Sequence, residues 1–193
     1  MARLNFTPFP TLTTERLTLR QLTDEDDKEI FFLRSDKTVN QYITRPIPSG
    51  MDEARDFIQK INDGIAQNNS IYWAICLHDK PILVGTICLW NFSDDKSIAE
   101  LGYELIPASQ GQGIMNEALK RIIIYAFETL KIEKLEAFTH KDNISSSQLL
   151  VKNNFKREPG RIDEGDIDNI VYFLNRFTTA FSFLGLFLFH SWL

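Results

Sequence analysis

One continuous stretch, "IAELGYELIPASQGQGIMNEALKRIIIYAFETL" (98–130), does most to limit how this chain folds. Its opening, "IAELGYELI" (98–106), reads as a strand, with Glu100, Gly102 and Glu104 on one face because side chains alternate. Pro107 ends it. From Gly113 to about Leu130, Met115, Ala118, Leu119, Ile122, Ala126, Phe127 and Leu130 share one helical face. "KLEAFTH" (134–140) then reads as another strand. A strand, a helix and a strand in that order predict a parallel, right-handed crossover. The chain is therefore mixed α/β.

Gly111 and Gly113 sit at the mouth of that helix, where glycine costs order. The first four N–H groups of a helix lack intrahelical partners, and the helix dipole makes that end positive. Bare backbone there lets a phosphate or pyrophosphate come close. A tight strand-to-helix turn without a ligand needs the same glycines, and the glycines alone leave both readings open. Two phosphate motifs are excluded. No Gly-Lys-Ser/Thr follows four intervening residues, and no G-x-G-x-x-G precedes a downstream acid.

The remaining elements fit one domain of 193 residues without repeats or Gly/Ser linkers. "RLTLRQL" (16–22) alternates as a half-buried strand. "TDEDDKEIFFLRS" follows as a helix, with Thr23 and Asp26 at capping-box spacing. "PSGMDEARDFIQKI" opens a second helix capped by Ser49 and Asp52, with Ala54, Phe57, Ile58, Ile61 and Ile65 as its apolar stripe. "IYWAICL" (71–77) and "ILVGTICLW" (82–90) are joined by a short "HDKP" turn, which predicts an antiparallel hairpin. "SSSQLLVKN" reads as a short helix and "NIVYFLNR" (169–176) as a late strand. Trp73 and Trp90 lie in core-like strands and read as packing.

A formal charge of −5 argues against a nucleic-acid partner and is compatible with a cationic substrate. Cys76 and Cys88 have no metal-ligand spacing and read as buried, reduced thiols of a cytoplasmic protein, with a disulfide as the open alternative. The scattered His78, His140 and His190 suggest no metal site. "MARLNFTPFP" lacks the apolar core of a signal peptide.

Four segments carry a family resemblance. Gln110-Gly111-Gln112-Gly113-Ile114-Met115 resembles the Q/R-x-x-G-x-G/A motif of the GNAT acetyltransferases. "TTERLTLRQL" and "AELGYEL" resemble the subfamily that acetylates the N-terminal alanine or serine of ribosomal proteins, as does "DNISSSQLLVKNNFKRE". The match spans roughly Thr13 to Arg176. It implies a GNAT fold, a mixed and largely antiparallel sheet flanked by helices and splayed where acetyl-CoA enters. It also implies transfer of acetyl to a primary amine, a protein N-terminus being favoured over a polyamine or aminoglycoside, with a non-catalytic acyl-CoA-binding module as the alternative of a different class. Three positions depart from the pattern. Met115 replaces a small residue, Asn154 replaces a glycine, and Leu150 stands where many relatives carry a tyrosine acid.

By that resemblance Gln110, Gly111, Gln112, Gly113, Ile114 and Met115 cradle the pyrophosphate of acetyl-CoA. The backbone around Leu105 and Ile106 pairs with the pantetheine arm, and Asn143 and Ser146 approach the cofactor. Asn143 equally reads as a helix cap. Ser146 or Ser147 equally reads as a solvated helix start. Attack of an amine on a thioester needs a proton acceptor, and Glu100 is the first candidate base. Glu104 is the second, better suited to attract a cationic acceptor. Tyr172 is a candidate acid that reads more readily as packing, His140 reads as structural, and "DEGDID" (163–168) reads as a solvated turn, with contact to a basic substrate as the alternative. The loops at about 38–50 and 161–168 carry no recognisable code for the acceptor, and a homodimer stays open. Beyond residue 176, "FTTAFSFLGLFLFHSWL" has no formal charge and five phenylalanines; it is marginal for a spanning helix, which needs about 20 apolar residues, and an extra strand, a subunit contact and an altered reading frame stay open.

Overall fold

A computed structural model describes residues 4–176; the apolar segment beyond them, singled out above, lies outside the described residues. The chain begins with β1 (Leu12–Thr13), β2 (Leu17–Arg20), α1 (Asp27–Ser35) and α2 (Met51–Ala66). A three-stranded meander follows, β3 (Ile71–Leu77), β4 (Lys80–Trp90) and β5 (Ile98–Leu105). After it come α3 (Ile114–Ile124), β6 (Lys134–His140), α4 (Ile144–Lys152), β7 (Lys156–Arg157) and β8 (Asn169–Asn175). The sheet order is β1-β2-β3-β4-β5-β6-β8-β7. Every neighbouring pair is antiparallel except β5 and β6, which run parallel across the crossover that α3 makes.

Local chemistry explains the element ends. Thr23 N–H donates to the Asp26 carboxylate at 2.8 Å, closing the turn before α1 as the spacing predicts. At α2 the residue that reaches back is Glu53, not Asp52: it accepts from both the backbone and the hydroxyl of Ser49. The helix of α3 widens into a π turn over Tyr125–Thr129, where Leu130 N–H bonds the Tyr125 carbonyl at 3.0 Å. Asn154 sits at φ +65°, the left-handed conformation that asparagine tolerates better than other residues with a side chain. β1 and β7, two residues each, are too short to show periodicity in sequence.

The core fills both faces of the sheet. β3 is buried at six of its seven positions, a continuous run that marks a strand covered on both sides. Tyr72 meets Phe57 of α2 edge-on at 6.0 Å on one face. Trp73 meets Tyr125 at 5.5 Å on the other. The indole N–H of Trp73 donates to the Pro10 carbonyl at 2.9 Å, so this fully buried ring leaves no polar atom unpaired. Trp90 departs from the packing expected of it. As the last residue of β4 it runs past the helices and stays 47% exposed. Cys76 and Cys88 are both free thiols, the first buried and the second half-buried.

Candidate functional site

The parallel pair does not run the length of its strands. β5 and β6 are in register only where Ile98, Ala99 and Glu100 face Lys134, Leu135 and Glu136. Beyond Glu100, β5 continues beside β4 alone, as far as Leu105 opposite Gly85. Ile106 N–H donates to the Val84 carbonyl at 2.9 Å, which fixes the parity of the strand. Backbone groups of Glu100, Gly102 and Glu104 therefore point to β4, and those of Leu101, Tyr103 and Leu105 point into the gap left by β6. Gly85 permits this close course, because a side chain there would meet the Glu104 carbonyl at 2.5 Å. Ile106 does not extend the open edge as the sequence led us to expect. Its N–H is used by Val84, and its carbonyl accepts from Ser109 N–H at 2.8 Å.

The gap leads to the glycine turn. Gly111 and Gly113 adopt φ +72° and +77°, values that a side chain would strain. Gly113 caps α3 without a side-chain bond, so the helix mouth keeps its backbone N–H groups bare. Gln110 Nε2 donates back to the Leu105 carbonyl at 3.2 Å, and Gln112 Nε2 to the Ala108 carbonyl at 2.8 Å. Ile114 and Met115 turn their side chains into the core, so the bulk of Met115 does not obstruct the amides. Arg16, from the β1–β2 turn, latches the whole unit. Its Nε bonds Glu117 Oε2 at 2.7 Å, its backbone N–H bonds Oε1 at 2.9 Å, and its Nη1 bonds the Gln112 carbonyl at 3.2 Å. Burial pushes the Glu117 carboxyl up, but hydrogen bonds from Thr14 and Arg16 outweigh it and hold the group below the usual range.

On the far side of the gap stands the start of α4. Asn143 caps it, accepting from Ser146 N–H at 3.1 Å. Ser146 Oγ lies 2.8 Å from the hydroxyl of Tyr103, so a side chain of β5 bridges the gap to α4. Burial pushes the Tyr103 phenol up to about 12, and it keeps its proton at neutral pH. Leu150 is fully buried in the core and offers no acid. Tyr172 is buried on β8 opposite Ala137, as packing.

The opposite face of β5 carries the two candidate carboxylates in different settings. Glu104 is 8% exposed and already paired. Arg45 Nη2 donates to its Oε2 at 2.7 Å, while the hydroxyls of Tyr72 and Thr86 lie 3.4 Å from Oε1. The free anion expected at Glu104 is thus a neutralised one. Glu100, four residues earlier, is half-buried and accepts one bond from Asn91 Nδ2 at 3.2 Å. Desolvation raises its carboxyl above the ordinary value, opposed by the Asn91 bond. Between them Gly102 leaves a bare strip: a Cβ there would come within 3.0 Å of Cys88 Sγ and 3.8 Å of Trp90 Nε1. His140 packs against Tyr42 with ring centroids 5.4 Å apart, joining the 38–50 loop to the end of β6. Sequence reading missed Arg16, Arg45 and Tyr103. The "TTER" segment held Arg16 in view, but nothing local connects it with a glutamate a hundred residues later.

Among the described residues no cluster of metal-ligating side chains occurs, and no helix is long and apolar enough to cross a membrane. Comparisons with known proteins bear on the same region. The family described as the acetyltransferase (GNAT) domain matches residues 16–156. The uncharacterized N-acetyltransferase YoaA of Bacillus subtilis is 33% identical over 150 residues, 78% of this chain and 85% of that one. The [ribosomal protein uS5]-alanine N-acetyltransferase of Escherichia coli is 27% identical over 158 residues, covering 76% and 78%. The solved structure of RimL, a ribosomal L7/L12 alpha-N-protein acetyltransferase in complex with coenzyme A, shares the fold. It superposes with a TM-score of 0.74 at 18% identity, over 86% of this chain and 98% of that one.

Proposed function

Because the chain belongs to the GNAT family of acetyltransferases and moves acetyl from acetyl-CoA to an amine nitrogen, we propose that its acceptor is a protein N-terminal amine, attacked directly in a ternary complex. The observation that carries this reading is the gap between β5 and β6, open at one end to the glycine turn and flanked by Glu100 at the other. A pantetheine arm is an extended chain of amides. The backbone of Tyr103 and the N–H of Leu105, whose carbonyl Gln110 already holds, accept it as a further strand. The bare amides from Gly111 through Met115 receive the pyrophosphate, with Gln110 and Gln112 holding the loop and Ile114 anchoring it. Asn143 and Ser146 line the far wall.

The chemistry needs one proton removed from the amine and the leaving thiolate stabilised. Glu100, its carboxyl raised by desolvation and so made more basic, takes the proton as the amine nitrogen attacks the thioester carbon. When the C–S bond breaks, the Tyr103–Ser146 pair donates a hydrogen bond to the leaving thiolate, replacing the acid absent at Leu150. Glu104 plays a different part. Tied to Arg45, it fixes the 38–50 loop against the sheet rather than attracting the amine. The relatives named for ribosomal proteins favour a peptide acceptor, and a small amine such as a polyamine or aminoglycoside is the alternative. Acetyl-CoA consumption measured against N-terminal alanyl and seryl peptides, spermidine and an aminoglycoside tests the choice. Fastest turnover on peptides is expected; turnover confined to the small amines would move the acceptor to that class.

A further inference from the structure

Beside Arg45 lies a second guanidinium that the reaction has not used. Arg34, in the last turn of α1, lies over the ring of Phe57 with Cζ 3.9 Å from its centroid. That stacking fixes the group and takes its face out of water, but leaves its N–H edge unbonded. No hydrogen bond or ion pair reaches Arg34 from the described residues, although it is only half exposed. Arg45, by contrast, is bonded through Nε and Nη2 to Asn40 Oδ1, the Leu33 carbonyl and Glu104. Burial lowers the pKa of Arg34, repulsion from Arg45 lowers it further, and Glu104 only partly offsets both. Two guanidiniums thus share one carboxylate, and that carboxylate already has Arg45 and the hydroxyls of Tyr72 and Thr86 around it. The cluster carries an excess positive charge on the same sheet face as Glu100 and Gly102.

We propose that Arg34 is an anion subsite for the acceptor, so that the preferred substrate bears a carboxylate or phosphate a short distance from its reacting amine. The inference rests on assigning this face to the acceptor. Phe57 sets the plane of the guanidinium, and its free edge presents two parallel N–H groups, the geometry that a carboxylate or phosphate accepts in bidentate fashion. Glu100 and the Glu104–Arg45 pair lie four residues apart on β5, roughly 13 Å at strand spacing. An extended peptide whose amine lies at Glu100 brings its second or third side chain toward Arg34. An acidic residue there neutralises the cluster; a basic one meets two guanidiniums. A structural role for Arg34, as a cation over Phe57 between two helices, makes no such distinction among acceptors.

The test uses amidated peptides, Ala-Glu-Glu-Ala against Ala-Gln-Gln-Ala, with the full-length chain. Turnover on the acidic peptide should exceed the neutral one by about tenfold in kcat/KM, the scale of one charge-assisted pair. Arg34→Gln should bring the ratio close to one, and Arg34→Lys, which keeps charge without the fork, should restore part of it. Calorimetry of the N-acetylated peptides against protein saturated with CoA gives the same comparison without turnover. Tighter binding of the acidic product, lost in Arg34→Gln, is expected. Equal affinities, or a ratio that Arg34→Gln leaves unchanged, would overturn the subsite. Absence of turnover on every amine would instead reject the peptide-acceptor reading, with product binding still deciding the role of Arg34.

Discussion

The two sides of β5 are built on different principles. On the side of the gap, the donor half is nearly contiguous in sequence. Strand edge, turn and helix mouth occupy residues 101–116, latched by the remote Arg16 and faced across the gap by Asn143 and Ser146. On the other side, the proposed acceptor half is assembled from α1, the 38–50 loop, α2, β3, β4 and β5. It is held by charges that meet only in the fold: Arg45 with Glu104, and Arg34 over Phe57. The first half uses backbone to bind a group common to the whole family. The second uses side chains, and side chains can diverge. On the proposed assignment, shared chemistry is thus written locally and acceptor choice non-locally.

If the halves are separable, substitutions should strike one and spare the other. Glu100→Gln keeps size and hydrogen bonding but removes the basic oxygen. Turnover should fall about 10²–10⁴-fold, with acetyl-CoA affinity unchanged. Equal losses in both would mean that the halves are not independent. Arg45→Met leaves Glu104 buried without its cation and should cost about 3 kcal/mol in stability by denaturant titration. Its acetyl-CoA affinity, measured on the folded fraction, should survive. On the donor side, acetyl-CoA at a hundredfold over its dissociation constant should stabilise the protein by about 2.7 kcal/mol. Gly113→Asp should abolish most of that gain, through both the strained φ of +77° and a carboxylate facing phosphate.

How much of this was legible beforehand follows the same division. β3 and β6 have the bounds that their sequence patterns suggested, because continuous burial and period-2 alternation are local signals. The glycine turn was legible for the same reason. What sequence could not show were contacts between remote charges: Arg16 with Glu117, and Arg45 with Glu104. Both arginines have exposed and buried roles that look identical in a one-dimensional pattern. Glu100 and Glu104 shared a face and a motif, and only the arginine delivered by a distant loop separates them. Trp90 misled because a strand's last residue keeps its apolar identity after the helices above it have ended.

Smaller effects sharpen the contrast. Asn91 supplies the hydrogen bond that opposes desolvation at Glu100, so Asn91→Ala should raise the carboxyl further. The acidic limb of the kcat profile should then move to higher pH, with the alkaline limb in place. Glu117 titrates below its ordinary value, so its latch stabilises the fold above the unfolded pKa of about 4.3 and is lost as pH falls through the lower folded value. Glu117→Gln should therefore flatten the loss of stability with acid in that window, a difference of under about 1 kcal/mol for an exposed pair.

The most direct test concerns the open strand edge itself. Amide hydrogen exchange, followed residue by residue with and without acetyl-CoA, reads the backbone parity of β5. The N–H groups of Tyr103 and Leu105 should exchange freely in the unliganded protein and become protected when acetyl-CoA fills the gap. Those of Gly102 and Glu104, already bonded to β4, should change little. Protection confined to the even-numbered residues, or none on β5 at saturating acetyl-CoA, would contradict the account.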